Sequence, residues 1–579
     1  MISRIAISDI SPAVYFGGEF LPVKAVPGEY IKISATAVIE GHEKLTAEVV
    51  LHGSDGKVIS RSAMIENWPG SNRYEGEIRI PGQGEYFFIV EADSTSQYRT
   101  VLGSSEKYPI RADRERALIG AWYEFFPRSE GAIKNSDGTV TSGTFKSAAK
   151  RIPAVAAMGF NVLYLPPIHP IGVSHRKGAN NSLTPTVNEP GVPWAIGNSD
   201  GGHDAINPDL GTMADFENFV SVANNNGLEI ALDLALQTSP DHPWVKAHPE
   251  WFNKRPDGSS AYAENPPKKY QDIYPLNFDD DYEGLRDEVL RIIRLWVSKG
   301  VKIFRVDNPH TKPVHFWQDL LEIVRGESPD VVFLAEAFTA PAMMHALGKA
   351  GFHQSYTYFT WRTSKSELTE YGREVSQQTS AFFRPNFWVN TPDINPFHLH
   401  SGNPAMFALR AVLASTLSPS WGMYAGYELY EHLPFKLDGE EYVHSEKYEI
   451  KLRDWDGAAK KGLTLAPFIT QLNAIRAANP ALLRLRNLVF HTTDSEAIIA
   501  YSKRDGENLI LVVVNLDPNF AQGTIVHWDT KALGIDGTSF EVKDLLDGSS
   551  FHWSPDTYVS LDPTRPVGRV AHICQVMIS

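Results

Sequence analysis

Several features are scarce in this sequence of 579 residues, and each absence excludes a class of protein. The single cysteine, Cys574, cannot form a disulfide within the chain, and no cysteines and histidines have the spacing of a zinc site. No run reaches the roughly 18 apolar residues of a membrane helix. The first residues also lack the apolar core of a secretory signal peptide. These absences predict a cytoplasmic protein that neither spans nor anchors in a membrane.

Positive charge is also in short supply. The chain has 54 Lys and Arg against 69 Asp and Glu, which gives a formal net charge of −15. Such a protein repels phosphate backbones, and the sequence has no basic patch, so we expect no nucleic-acid partner. A small phosphorylated ligand would need its own local cationic pocket.

The pattern of apolar residues divides the chain into three parts, in keeping with a length too great for one core. Residues 1–110 alternate apolar and polar positions between turn signals, which predicts an N-terminal β-sandwich. Residues 485–579 return to this pattern and predict a C-terminal β-sandwich. Residues 111–484 instead alternate short apolar runs with helical stretches, which is typical of an α/β domain.

The middle part contains eight short apolar runs, and helical stretches separate most of them. Parallel strands need such crossovers, and eight units predict a (β/α)₈ TIM barrel. The rival is a doubly wound open sheet, but its G-x-G-x-x-G phosphate fingerprint is absent after the first strand. The eight predicted strands are residues 117–126, 160–167, 228–236, 301–307, 330–337, 353–359, 386–390 and 420–426.

Two long inserts are expected in the loops after the second and third strands of the barrel. Residues 168–207 are rich in Gly, Asn and Pro, and residues 238–283 in Pro, Asp, Lys and aromatics. Loops of this length are usually functional, and both leave the C-terminal face of the barrel, where active sites form. The second insert is predicted to form a lobe after strand 3.

Three carboxylates come at the ends of three predicted strands. Asp307 ends strand 4, Glu336 ends strand 5, and Asp393 follows strand 7. A buried charge is costly unless it is paired, so apolar strands do not need carboxylates for packing. Each alone could be a helix cap or an ion-pair partner, but three together predict a catalytic cluster. Strand alternation places Arg305 on the face of Asp307, where its guanidinium can keep that carboxylate ionised.

This arrangement of R-x-D, Glu and Asp resembles the α-amylase family, glycoside hydrolase family 13. That family uses a retaining double displacement, in which one carboxylate attacks the anomeric carbon and another carboxyl protonates the leaving oxygen. The resemblance implies that Asp307 is the nucleophile, Glu336 the general acid/base and Asp393 the stabiliser of the transition state. Asp233, at the end of strand 3, matches the first conserved region of the family.

Other positions depart from the pattern of starch-hydrolysing members. Gln237 and Thr238 replace the usual Asn-His pair, Pro392 replaces the histidine before the strand-7 aspartate, and His310 lies one residue closer to the nucleophile. With these departures, the chain resembles a subgroup, the α-1,4-glucan:maltose-1-phosphate maltosyltransferases of bacterial glycogen synthesis, along nearly its whole length. The strings that carry this resemblance are HRKGANN (175–181), GGHDAINPDLGT (201–212), SPDHPW (239–244), FRVDNPHTKP (304–313), VNTPDINP (389–396) and HSEKYEIK (444–451).

The subgroup implies a donor, α-maltose 1-phosphate, an acceptor, an α-1,4-glucan or malto-oligosaccharide, and inorganic phosphate as the released group. It implies neither a metal nor a cofactor. The segment ENPPKKY (264–270) would supply the local cation that a phosphate needs in an acidic protein. The implied phosphate-binding residues are Asn265, Lys268, Tyr270 and Asn308. The residues implied to contact the non-reducing glucose are Lys177, Asn181, Lys447 and Tyr448. Val192 would shape the same pocket, and His203 and Asp204 either orient the site or make structural hydrogen bonds.

Two other functions and the assembly stay open at this stage. The chain could be a hydrolase of the α-amylase type, or a non-catalytic glucan-binding scaffold, which two sandwiches and 11% aromatic residues would suit. Members of the subgroup carry a helical segment in or after the N-terminal domain that contributes to their dimer. Residues 84–126 leave no room for such a segment, so a homodimer and a monomer are alternatives.

Overall fold

The computed structural model describes residues 4–41, 43–95, 100–186, 188–265, 268–565 and 567–577. Its first part is a β-sandwich. The strands are β1 (Ile5–Ser11), β2 (Val14–Phe16), β3 (Glu19–Leu21), β4 (Val23–Ala25), β5 (Tyr30–Ile39), β6 (Thr46–Gly53), β7 (Val58–Glu66), β8 (Arg73–Arg79), β9 (Gly84–Thr95), β10 (Thr100–Ser104) and β11 (Tyr108–Ala112). Strand β7 belongs to both layers, because it pairs with β6 along most of its length and with β8 at Ile65 and Glu66. Alternate residues such as Ile33, Val49 and Phe88 form the core between the layers.

The chain passes directly from this sandwich into the barrel. After β9 the described residues contain β10, β11 and one 3₁₀ turn at Glu115–Ala117, before the first barrel strand starts at Gly120. The segment therefore has no helical subdomain in its described residues, as the sequence predicted.

The central part is a (β/α)₈ barrel, so this prediction of the fold is confirmed. Its strands and those of its loops are β12 (Gly120–Glu124), β13 (Ile133–Lys134), β14 (Val140–Thr141), β15 (Val162–Leu165), β16 (Glu229–Leu234), β17 (Gln237–Thr238), β18 (Ala263–Asn265), β19 (Lys268–Tyr270), β20 (Tyr274–Pro275), β21 (Ile303–Asp307), β22 (Val332–Glu336), β23 (Gln354–Ser355), β24 (Phe387–Trp388) and β25 (Ser420–Tyr424). The parallel barrel order is β12-β15-β16-β21-β22-β23-β24-β25, and β25 pairs with β12. The amide of Ser355 donates to the carbonyl of Arg384 (3.0 Å) and closes the barrel between β23 and β24.

Helices surround the barrel. They are α1 (Phe145–Ala148), α2 (Ile152–Ala157), α3 (Met213–Asn225), α4 (Pro243–Ala247), α5 (Tyr282–Ser298), α6 (Val314–Glu327), α7 (Pro341–Ala350), α8 (Lys365–Arg373), α9 (Pro404–Leu417), α10 (Trp455–Lys460) and α11 (Ala466–Ala478). In α5 the side chain of Asp281 caps the start by accepting from the amide of Gly284 (3.1 Å). Leu285, Val289 and Trp296 then recur at helical spacing and face the sheet. No helix in the described ranges is long and apolar enough to cross a membrane.

The last part is a second sandwich, with strands β26 (Leu488–Thr493), β27 (Ile498–Asp505), β28 (Asn508–Asn515), β29 (Gln522–His527), β30 (Phe540–Asp544), β31 (Ser550–Trp553), β32 (Asp556–Leu561) and β33 (Ala571–Val576), and helix α12 (Thr530–Leu533). Strand β26 joins its two layers by pairing with both β27 and β29. Cys574 is buried in the core of this domain as a free thiol.

Three buried histidines join the two inserts to the barrel. The ring of His203 bonds to the carbonyl of Ala235 (2.8 Å) through Nε2 and to His242 (3.1 Å) through Nδ1. Nδ1 of His242 accepts from the amide of Trp244 (3.0 Å), so a consistent chain of donors requires both rings to be neutral. His169 bonds to the carbonyl of Ala205 (3.0 Å). Burial lowers the pKa of His169, His203 and His242 to about 3, 4 and 2, respectively.

We expect the free energy of unfolding to fall as the pH drops below about 6.5, the value at which unfolded histidines take up protons. The folded rings stay neutral there, so each loses about 1.4 kcal/mol of stability per pH unit. Urea titrations at several pH values can compare the wild type with His242→Asn, which keeps an acceptor for the amide of Trp244. The variant should lose less stability with acid, and equal losses in both proteins would argue against the neutral cluster.

Candidate active site

Strands β21 and β22 carry two of the three predicted carboxylates to the mouth of the barrel. Asp307 and Glu336 are the last residues of these neighbouring strands and are register partners. Asp393 lies in the turn after β24, between Thr391 and Ile394. All three line one cavity of about 550 Å³. A cavity of this size at this face of a barrel is where a ligand is expected.

Arg305 is the charged centre of the site. Its Nη1 lies 2.8 Å from Oδ2 of Asp233 and 2.9 Å from Oδ1 of Asp307, and its Nη2 lies 2.9 Å from Oε1 of Glu336. Arg305 is only 4% exposed, so these ion pairs are poorly screened. One cation thus contacts three carboxyl groups, and Arg305 lies on the same face of β21 as Asp307.

Asp233 is held from below the cavity. Its Oδ2 also accepts from the hydroxyl of Tyr164 (2.5 Å) and from the indole nitrogen of Trp194 (3.2 Å). Burial raises the pKa of Asp233, and the charge of Arg305 opposes this shift. Asp233 therefore orients Arg305 from behind, and the cavity lining does not include it.

Glu336 differs from Asp307 in its electrostatic environment. Burial raises the pKa of Glu336, Arg305 opposes the shift, and the negative charge of Asp307 adds to it. A raised pKa keeps a carboxyl protonated near neutral pH, which a general acid requires. This environment suits Glu336 to the role of a general acid beside Asp307.

Asn308 follows the nucleophile in a left-handed conformation (φ 42°), which asparagine tolerates better than most residues. The backbone nitrogen of Asn308 lies 3.4 Å from Oε2 of Glu336, and its side-chain Nδ2 lies 3.4 Å from Oδ2 of Asp307. The buried ammonium of Lys312 donates to the carbonyls of Asp307 (3.3 Å) and Asn308 (3.2 Å) and fixes this turn. The turn therefore presents an amide side chain beside both catalytic candidates.

Most of the other predicted ligand residues line the same cavity. Nζ of Lys447 donates to Oδ1 of Asp393 (2.7 Å). The predicted residues that line the cavity with the three carboxylates are Lys177, Asn181, Val192, Gln237, Tyr270, Asn308, Lys447 and Tyr448. The side chains of Asn265 and Lys268 lie outside the described part of the chain. Their backbones pair in the β18–β19 hairpin.

Two predicted residues lie away from the cavity. His203 makes the scaffold bonds given above, and Asp204 forms an exposed ion pair with Arg291 (2.7 Å). The structural alternative that the sequence left open therefore applies to both. Tyr164, Trp194, Lys312 and Asp272 contact or line the site, but sequence reasoning did not select them. Trp194 lies two residues after Val192, which the sequence predicted to shape the sugar pocket. Lys312 lies within the motif string around Asp307.

A separate group of potential metal ligands lies in the C-terminal sandwich. Asp544, His572 and Cys574 bring one ligand atom each within 4.8 Å of one another. Nδ1 of His572 bonds to Oδ2 of Asp544 (2.6 Å), so the imidazole already has a partner without an ion. These residues come from two strands, which is why their spacing in sequence gave no signal.

The sequence is similar to curated proteins and to two family profiles. Residues 3–114 match the family profile described as α-1,4-glucan:maltose-1-phosphate maltosyltransferase, domain N/S, and residues 490–576 match the profile described as GLGE, C-terminal. α-1,4-Glucan:maltose-1-phosphate maltosyltransferase 2 of Streptomyces coelicolor is 48% identical and covers 99% of this chain and 96% of its own. The enzyme of that name from Mycolicibacterium smegmatis is 53% identical over 83% of this chain and 70% of its own.

Solved structures with the same architecture are more distant in sequence. A maltogenic α-amylase from Thermotoga neapolitana superposes with a TM-score of 0.60 at 20% identity, over 80% of this chain and 99% of its own. A maltogenic amylase from S. marinus gives 0.56 at 15% identity over 96% of this chain and 81% of its own. These similarities identify the α-amylase type of barrel, and the fold alone.

Proposed function

The chain belongs to the family of α-1,4-glucan:maltose-1-phosphate maltosyltransferases, and from this premise we propose its reaction. It is an enzyme that transfers maltosyl units from α-maltose 1-phosphate to the non-reducing end of an α-1,4-glucan, with retention of the α configuration. The observation that carries this proposal is the buried Arg305, which holds Asp307 and Glu336 side by side at the cavity (2.9 Å each). This geometry supports a charged nucleophile beside a protonated acid.

In the first half of the proposed reaction, Asp307 attacks the anomeric carbon of the donor. A β-maltosyl ester forms on Asp307 as the bond to the phosphate oxygen breaks, and phosphate leaves with the electron pair and takes up the proton of Glu336. Ion pairing with Arg305 stabilises the attacking carboxylate. Asp393, which bonds to Lys447 (2.7 Å), would bind hydroxyls of the distorted sugar and stabilise the transition state.

In the second half, the 4-hydroxyl of the acceptor enters where phosphate has left. Glu336, now ionised, takes the proton of this hydroxyl as its oxygen attacks the anomeric carbon and frees Asp307. Two inversions retain the α configuration. The reverse direction, phosphorolysis of malto-oligosaccharides, uses the same groups, and Glu336 then protonates the glycosidic oxygen.

We assign the phosphate to Asn265, Lys268, Tyr270 and Asn308, and the non-reducing glucose to Lys177, Asn181, Lys447 and Tyr448. Asn308 and Tyr270 line the cavity, which supports the first set. Asp233 and Gln237 are assigned supporting roles. One ammonium group with neutral hydrogen-bond donors can bind phosphate weakly enough for it to dissociate after the bond to the sugar breaks.

We expect Lys268→Ala to raise the KM for phosphate in phosphorolysis by about 10- to 100-fold, since charge-assisted bonds to phosphate are worth roughly 1.5–3 kcal/mol. The choice of Lys268 rests on the resemblance to the family, in which this position binds phosphate. The neighbouring, exposed Lys269 provides a matched control, and Lys269→Ala should change this KM by less than about twofold. Steady-state kinetics with varied phosphate or malto-oligosaccharide measures both. A similar increase in KM for the oligosaccharide would remove the phosphate role.

The decisive experiment for the reaction combines α-maltose 1-phosphate with maltohexaose and follows the products by mass spectrometry. A transferase extends the acceptor in steps of two glucose units and releases phosphate. A hydrolase releases maltose at the same rate with and without acceptor, and a glucan-binding scaffold forms no product. Either of the last two outcomes would overturn the proposal.

The remaining parts of the proposal concern the cellular compartment and the oligomeric state. A reducing compartment, the cytoplasm, suits the buried free thiol of Cys574. The alignment with the first Streptomyces relative spans 652 positions, more than the 579 residues here, so that relative has segments which this chain lacks. A homodimer would therefore need contacts other than an inserted helical segment, and light scattering distinguishes it from a monomer.

A further inference from the structure

A second cavity lies where the N-terminal sandwich meets the barrel, and the mechanism above does not use it. Its volume is about 290 Å³, close to the lower end of the range of small-molecule sites, roughly 300–1,000 Å³. Lys24 of β4 and Arg111 of β11 line this junction cavity from the sandwich. Arg325 of α6 and Lys349 of α7 line it from the barrel. Four cations from two domains thus border one small space, in a chain with a net charge of −15.

The buried charges beside the junction cavity are out of balance. Lys24 and Arg384 are buried, and the side chain of Arg325 is only 12% exposed. The buried carboxylate that these three cations share is Asp113. It pairs with Arg384 at 2.7 Å, whereas Nε of Arg325 lies 3.9 Å from it. A buried cation without a close counter-ion is costly, so this arrangement favours a further anion.

On the solvent side, two arginines share an exposed carboxylate. Nη1 and Nη2 of Arg111 donate to the two oxygens of Glu322 (3.0 and 3.1 Å), and Nη1 of Arg325 donates to its Oε2 (3.1 Å). The side chain of Glu322 is 62% exposed, and exposed ion pairs contribute little because water screens them. Guanidinium groups that hold a carboxylate in this way also fit a phosphate. A ligand anion can therefore replace Glu322 on these donors.

Arg325 also has a donor that is not in use. Its Nη2 donates to the carbonyl of Gly351 (3.1 Å), but its buried Nε has no hydrogen-bond partner among the described residues. Buried donors without a partner are rare in folded proteins. Lys24, in contrast, donates to the carbonyls of Gly348 (2.7 Å) and Phe352 and attaches the sandwich to the end of α7. The donors left for a ligand are therefore those of Arg325 and Lys349.

We propose that the junction cavity is a second anion site, separate from the active site, which binds the phosphate group of a small phosphorylated metabolite. A phosphate monoester carries a charge of about −1.5 to −2 at neutral pH and has three acceptor oxygens, so it balances the buried cations. Phe20 and Leu21 form an apolar wall of the same cavity for the rest of the ligand. Helix α6 connects β21 to β22, and α7 follows β22. The ligand thus joins the sandwich to the helices next to the two catalytic strands.

Calorimetry with glucose 6-phosphate as the probe tests this site. We expect Arg325→Gln and Lys349→Gln each to weaken binding of the probe by at least about tenfold, because each removes a charge-assisted bond to phosphate. Lys349→Gln tests the site even if the more buried Arg325→Gln folds poorly. Lys531→Gln makes the same change of charge at an exposed position of α12 and should leave the affinity unaltered. Glucose, which has no charge, should bind equally to all four proteins.

Two further variants separate this site from the active site and from a purely structural cluster of charges. Lys268→Ala removes the cation that we assign to the phosphate of the donor, and it should not change the affinity for the probe. An equal loss in Lys268→Ala and Arg325→Gln would place the probe in the active site and overturn the proposal. Glu322→Gln removes the competing carboxylate and should tighten binding by about two- to fivefold. Unchanged or weaker binding in Glu322→Gln, or no binding to the wild type below about 10 mM, would also overturn it.

Discussion

Replacing Asp307 by alanine should abolish transfer, with kcat reduced by a factor on the order of 10⁴ to 10⁶. Without the carboxylate of Asp307 no maltosyl ester can form. The second displacement, in which the acceptor replaces Asp307, then has no intermediate to act on. The distances of 2.8 and 2.9 Å from Arg305 to Asp233 and Glu336 remain available, so the barrel should stay folded. Phosphate release from α-maltose 1-phosphate in the presence of maltohexaose measures the loss.

Two further variants make this result specific. Asp307→Asn keeps the size of the side chain and removes only its charge, so it should be about as inactive as the alanine variant. Glu370→Gln removes a carboxylate from an exposed position of α8, and it should retain wild-type activity. If Asp307→Ala kept more than about 1% of wild-type kcat with its circular dichroism unchanged, Asp307 could not be the nucleophile.

The fold could be predicted from the sequence because most of the barrel strands are short apolar runs. Strands buried on both faces lose the alternation of a solvent-facing strand and read as continuous apolar segments. Residues 332–336 and 420–424, for example, are buried at every position. The closure between β23 and β24 was harder to see, since it depends on one bridge, between Ser355 and Pro385. Only the count of eight strands indicated it.

The catalytic candidates Asp307 and Glu336 could also be predicted from the sequence of the strands. A carboxylate at the end of an apolar strand has no packing role, so Asp307 and Glu336 stand out from their surroundings. Tyr164 does not differ from its apolar neighbours in this way, because a tyrosine in a buried strand is most simply a core residue. Its hydroxyl bond to Asp233 (2.5 Å) exists only once strands β15 and β16 are aligned.

Residues contributed by the inserts were predictable only through resemblance. Asp272 lies in a loop whose path depends on the pairing of β17 with β20, which no local pattern encodes. An aspartate near Pro and Tyr is ordinary turn chemistry. Its burial and its oxygen, unpaired among the described residues, result from tertiary packing, and these two properties distinguish it from Asp257, an exposed aspartate of the same insert.

Glu336→Gln should separate the two halves of the reaction. Phosphate is a good leaving group and needs little help from an acid, so attack by Asp307 on α-maltose 1-phosphate should continue. The acceptor hydroxyl, however, needs a base, and an amide cannot accept its proton. Transfer to maltohexaose should therefore fall by about 10²- to 10⁴-fold. The covalent maltosyl-enzyme should accumulate, and intact mass spectrometry after addition of donor should show an increase of one maltosyl residue.

The raised pKa of Glu336 gives this variant a second signature. In the wild type, phosphorolysis needs Glu336 protonated, so its rate should fall as the pH rises through that pKa, which burial places above the usual range of a glutamate. Glu336→Gln should lack this alkaline decline. Azide, which needs no base, should react with the trapped ester and give α-maltosyl azide, since a second inversion restores the α configuration. No mass increase and no azide product from a folded variant would exclude Glu336 as the acid/base and leave the ester on Asp307 without support.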